Sequence, residues 1–62
     1  MKKAEVIAAV RRVYPTAEAA RIPEDFGFEI VAERHALAVR DTEYAAWCEA
    51  LRYVTREQEN LG

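Results

Sequence analysis

The groups able to do chemistry are few. The 62-residue chain has no serine, a single histidine (His35) and a single cysteine (Cys48). Covalent catalysis wants a nucleophile beside a base, so Cys48 with His35 is the pairing to weigh. Cys48 shares a helical stripe with Trp47 and Leu51, a setting in which a thiol stays neutral and serves as a small packed apolar group. His35 falls in an expected turn, which predicts a solvent-exposed imidazole. A structural zinc ion takes four Cys, His or carboxylate ligands, more than one Cys and one His supply. Glu24 and Asp25 are adjacent, not alternating around a central glycine as a calcium loop requires. Gly27 and Gly62 are the only glycines, too few for a loop that cradles phosphate. Glu24, Asp25, Glu29 and Glu33 fall on a loop or on the expected solvent face, where acids are simply hydrated. The expectation is therefore a protein with no catalytic residue, no cofactor and no metal.

The elements around these residues follow from periodicity. Val6, Ile7, Val10, Val13 and Tyr14 recur at three- and four-residue spacing, which predicts an amphipathic helix from Lys3 to Tyr14. Pro15 stops it, since its ring disfavours helical geometry in the preceding residue and brings no amide hydrogen. A second helix is predicted from Asp41 and Thr42, whose side-chain oxygens suit an N-cap, to about Gln58. Its stripe is Tyr44, Trp47, Cys48, Leu51 and Val54 or Thr55. Arg52 and Arg56 fall toward its negative end, Asn60 and Gly62 suit its stop, and the last four or five residues are expected to fray.

Between the helices the period changes to two. Phe28, Ile30 and Ala32 alternate with Glu29, Val31 and Glu33, and Leu37 and Val39 alternate with Ala36, Ala38 and Arg40, the signature of half-buried strands. Joining residues 29 to 58 into one helix would place Arg34 and Asp41 in its buried seam, where charge is costly. Ala17 to Ile22 forms a first strand, joined to the second through Pro23-Glu24-Asp25-Phe26-Gly27; Glu33-Arg34-His35 makes the other turn. The predicted fold class is α+β: helix, three-stranded antiparallel β-meander, helix, with both helices on one face of the sheet. The expected core is Val6, Val10, Val13, Ile22, Phe28, Ile30, Leu37, Val39, Trp47 and Leu51.

Size and charge bound the function. Sixty-two residues hold one core and one domain, residues 1 to 62. Apolar residues at 52% and charged residues at 32% mark a chain that folds, since disordered chains lack this apolar content. A lone cysteine cannot staple a small secreted domain, and no segment is apolar enough for a membrane, so a cytoplasmic setting is expected. Met1-Lys2-Lys3 resembles the start of a signal peptide, but Glu5, Arg11 and Arg12 break the apolar run one needs. The net charge of −2 conceals an asymmetry: residues 1 to 14 carry +3, leaving −5 on the rest. Lys2, Lys3, Arg11 and Arg12 on the first helix are the candidate contacts for nucleic acid. The sheet face away from the helices, with Glu29, Val31, Glu33, Ala36, Ala38 and Arg40, is the candidate protein-binding surface. It suits a protein partner or a second copy of the chain, as monomer or homodimer.

Two resemblances bear on this layout. The order helix, three strands, helix is similar to that of double-stranded RNA-binding domains, whose last helix opens on a lysine cluster. Here Asp41-Thr42-Glu43-Tyr44-Ala45-Ala46-Trp47 stands in that place, with two acids and no lysine. The chain also resembles short phage and prophage proteins. Val13-Tyr14-Pro15-Thr16-Ala17, Phe28-Glu29-Ile30, and Thr42-Glu43 with Ala46-Trp47 and Ala50 carry that likeness. It implies a compact accessory domain from a mobile element, and the expected function is protein binding, as an inhibitor or regulator of a host system, with nucleic-acid binding through the basic first helix as the alternative.

Overall fold

The computed structural model describes residues 1–24 and 27–61, with side chains described no further than Glu59. Helix α1 spans Lys3–Val13. The Lys2 carbonyl accepts its first bonds, from the amides of Glu5 and Val6 at 3.0 and 3.1 Å. The Glu5 carboxylate in turn accepts the Lys2 amide at 3.3 Å, which satisfies one of the donors that a helix start leaves unpaired. Before Pro15 the helix closes with the Tyr14 amide on the Val10 carbonyl, and a bond from the Ala17 amide to the Tyr14 carbonyl turns the chain into the sheet.

Three strands follow, β1 (Glu18–Ile22), β2 (Gly27–Ala32) and β3 (His35–Arg40), antiparallel in the order β1-β2-β3. The first thus starts one residue later than expected. Of the first expected turn, Asp25 and Phe26 lie outside the described residues. The second is tighter than expected. Ala32 pairs with His35, leaving a two-residue loop of Glu33 and Arg34. Glu33 takes a φ of 57°, the left-handed region that such loops require at a position where glycine or asparagine is preferred.

The β2–β3 register corrects the expected facing of β3. Ile30 pairs with Ala38 but Val31 pairs with Ala36, a shift that makes Leu37 the extra residue of a bulge. Both Leu37 and Ala38 therefore turn to the core, and every later side chain changes sides. Ala38 is 7% exposed, whereas Val39, an expected core residue, is 51% exposed. Arg40 now shares a face with its partner Phe28 and reaches Glu49 on the second helix at 3.6 Å. Ala38 and Arg40 consequently do not belong to the open sheet face.

Helix α2 spans Glu43–Leu61. Thr42 caps it, its hydroxyl oxygen accepting the Ala45 amide at 3.2 Å, as expected of an N-cap threonine. It runs three residues beyond Gln58; the side chain of Asn60 and all of Gly62 lie outside the described residues. Ala46, Trp47, Ala50 and Val54 on its inner side are buried, and the helix touches all three strands and α1. α1 packs on α2 and sends Val6 and Val10 into the same core as Ile30, Ala32 and Leu37. Small residues at positions 46 and 50 let helix and sheet approach closely around the one large group, Trp47. Phe28 and Leu51 are half-buried against this core, whereas of the other expected core residues Val13 is half-buried away from it and Ile22, paired with Gly27, falls on the opposite sheet face with Glu29 and Val31. Among the described residues no helix is long and apolar enough to cross a membrane.

Candidate functional site

Pairs at the two ends of the seam show that α1 and α2 run parallel. At the start, the Lys3 ammonium meets the Glu43 carboxylate at 2.9 Å, and the Trp47 indole N–H donates to the same oxygen at 3.2 Å. These two bonds hold the Glu43 carboxyl below its ordinary range, against the opposing effect of burial. At the other end the Tyr14 hydroxyl donates to Glu57 at 2.9 Å. That bond, with partial burial, pushes the Tyr14 phenol above its ordinary value. Between them the Arg11 guanidinium lies 5.6 Å from the Trp47 ring centroid, and its Nε donates to the Ala17 carbonyl at 3.0 Å. Such a stacked cation contributes about 0.5–1 kcal/mol.

This network decides what the basic helix has left to offer. Of the four candidate phosphate contacts, Lys3 and Arg11 are engaged inside the molecule. Lys2 and Arg12 are exposed without such partners among the described residues. The structure therefore does not present the four as one free cationic face.

On its outer side, the seam opens into a groove of about 550 Å³. Val6 of α1 and Cys48 and Leu51 of α2 form its apolar floor; Met1 and Tyr44 stand at one end, where the Tyr44 hydroxyl donates to the Met1 carbonyl at 2.7 Å. Met1 and Tyr44 are two of the few large apolar side chains in water, 73% and 44% exposed. Thr55 lines the middle, and Arg52, Arg56 and Glu59 line the far part. Positions 44, 48, 51, 52, 55 and 59 recur at helical spacing and form a second stripe on α2 beside the core positions 46, 47, 50 and 54. Helix α2 therefore carries two stripes, one packed in the core and one lining the groove.

Arg52 and Arg56 are the notable pair. Among the described residues neither has a carboxylate within 4.0 Å; the ion pairs found there are Lys3–Glu43 and Arg40–Glu49. Their position does not serve the helix end either, because α2 continues to Leu61 with no base in its last turn, and the dipole effect fades within that turn. Like charges four residues apart on a helix repel.

The other candidate surface is changed by the bulge. Glu29, Val31 and Ala36 remain on the open sheet face, Glu33 sits in the hairpin loop, and Val39 takes the place expected for Ala38 and Arg40. His35 is exposed at the start of β3, whereas Cys48 is half-buried in the groove, which His35 does not line. Among the described residues no three His, Cys, Asp or Glu side chains come together as metal ligands. Comparison with protein-family models, curated proteins and solved structures returns no match to this chain.

Proposed function

We propose that this chain is a small, non-enzymatic protein-binding module that docks its partner in the groove between α1 and α2. The observation that carries this reading is the conjunction in one concavity of exposed apolar groups, Met1 and Tyr44, with two arginines that have no carboxylate partner among the described residues. A cleft with an apolar floor and a polar rim is the usual anatomy of a recognition surface. The open sheet face offers less, since among the described residues Val39 is its one large exposed apolar side chain and Glu29 stands opposite it. A host protein met in the cytoplasm is the proposed partner.

Thr55 is exposed and lines the groove, so Thr55→Trp fills it at little expected cost in stability, within about 0.5 kcal/mol. Tagged parent, Thr55→Trp and Val39→Lys proteins are exposed to host lysate, with and without nuclease treatment, at graded salt, and sized by sedimentation. A protein retained by the parent and by Val39→Lys, and lost with Thr55→Trp, is the expected result. Loss with Val39→Lys alone moves the interface to the sheet. Retention of nucleic acid alone, falling steeply with salt, rejects protein docking.

A further inference from the structure

The groove's shape and charge together constrain its occupant. Its stripe on α2 runs from Tyr44 to Glu59, a span of roughly 22 Å at the helical rise. The groove is lined mainly by α2, with Met1 and Val6 on its α1 side, and a ridged helix surface is what the ridges of a partner helix pack against. A small molecule is a poorer fit, because ligand pockets bury about 70–90% of their ligand and this groove is open to solvent along one side. The arginines are four residues apart, about 6 Å along the axis. That spacing matches two acids one turn apart on an opposing helix. Glu59, just beyond Arg56, repels an acid placed further along and so limits the acidic stretch to the arginine pair.

We infer that the groove selects an amphipathic helix of a partner protein whose apolar stripe covers Tyr44, Cys48 and Leu51 and whose flank carries two carboxylates one turn apart, taken by Arg52 and Arg56. The inference rests on the docking reading given above and adds the chemistry of the partner. Guanidinium pairs with carboxylates are charge-assisted and directional, so acidic helices are preferred over otherwise identical basic ones. The preference depends on ionic strength, because the groove is open to water.

The test uses two dye-labelled 18-residue helical peptides with the same Leu/Ala stripe, one with Glu pairs at four-residue spacing beside it and one with Lys there. Fluorescence anisotropy follows their binding to the full chain, to Arg52→Glu/Arg56→Glu and to Thr55→Trp. Circular dichroism confirms that each variant is folded. The expected result is a preference of about tenfold for the acidic peptide, 1.4 kcal/mol, reversed in the double charge variant and abolished by Thr55→Trp. Equal binding of both peptides, lost only with Thr55→Trp, overturns acidic selection while docking in the groove stands. Binding that survives Thr55→Trp removes the groove reading as well. Failure of both peptides to bind overturns the inference, leaving groove docking to the lysate test. A dimer in sedimentation that Thr55→Trp dissolves puts a second copy of the chain in the groove and overturns the inference too.

Discussion

Removing Trp47 probes the core and the helix seam together. The side chain is 1% exposed, and truncating a buried tryptophan to alanine costs about 3–5 kcal/mol. A single-core domain of this length retains only about 3–5 kcal/mol in all. Trp47→Ala therefore sits near its unfolding midpoint in plain buffer. Trp47→Phe separates the contributions. It keeps most of the ring area but deletes the indole N–H that bonds Glu43. Glu43 retains Lys3 and is partly exposed, so the loss is that of a hydrogen bond with its acceptor still solvated, about 1–2 kcal/mol. At a urea slope of about 1 kcal/mol/M, the midpoint falls by about 1–2 M. Far-UV circular dichroism is the measurement, because Trp47 is the only tryptophan and its fluorescence leaves with it. A Trp47→Ala protein that unfolds at the parent's midpoint would refute the packing of α2 through this side chain. A Trp47→Phe protein as damaged as Trp47→Ala would refute the partition between ring and N–H.

Three further outcomes follow from the register, the seam and the hairpin. Val39→Lys changes the unfolding free energy from urea titration by no more than about 0.5 kcal/mol, whereas Ala38→Lys costs about 2 kcal/mol or more by burying charge; the opposite order would mean β3 is unbulged. Because Glu43 has a lowered carboxyl pKa, its contribution is complete above the unfolded value and fades as pH falls through the folded one, the unfolded chain binding more protons between them. The melting-temperature gap between parent and Glu43→Gln is thus open at neutral pH and narrows below 4.5, the ordinary value. At the hairpin, Glu33→Val lowers stability by about 1 kcal/mol or more, since a β-branched residue at a φ of 57° is strained, while Glu33→Gly is neutral or stabilising; equal melting of the two would refute the left-handed assignment.

The order of elements was legible because each has its own period. Val6, Val10 and Trp47 recur as a helix requires, Phe28, Ile30 and Ala32 as a strand requires, and Pro15 and Thr42 mark the boundaries chemically. Alternation is blind to a bulge. Leu37, Ala38 and Val39 are all apolar, so no charge reports which of the last two is buried, and the choice falls to the pairing with Ile30. Size misled as well: valine is the better core residue by area, yet the space opposite Ile30 takes alanine, because α2 lies close over β3. The tight turn was hidden for a related reason, since Glu33 lacks the glycine or asparagine that announces a left-handed position.

The groove was harder to see because it shares a helix with the core. Tyr44, Cys48 and Leu51 read as one stripe with Trp47, and a single helical projection does not say that α1 divides that stripe. Trp47 is buried in the seam beneath Arg11, whereas Tyr44, Cys48 and Leu51 line the groove. One signal was present. Val54 and Thr55 compete for the same place on the stripe, and a threonine in register with Tyr44, Cys48 and Glu59 marks a face that stays in contact with water. Arg52 and Arg56 were explicable as partners of a helix end only while α2 stopped near Gln58. Its extension to Leu61 leaves them a turn inside the helix, beside an apolar furrow and without carboxylates of their own among the described residues. A helix that needed only to cover the sheet gains nothing from two adjacent like charges there; a helix that also receives an acidic partner does.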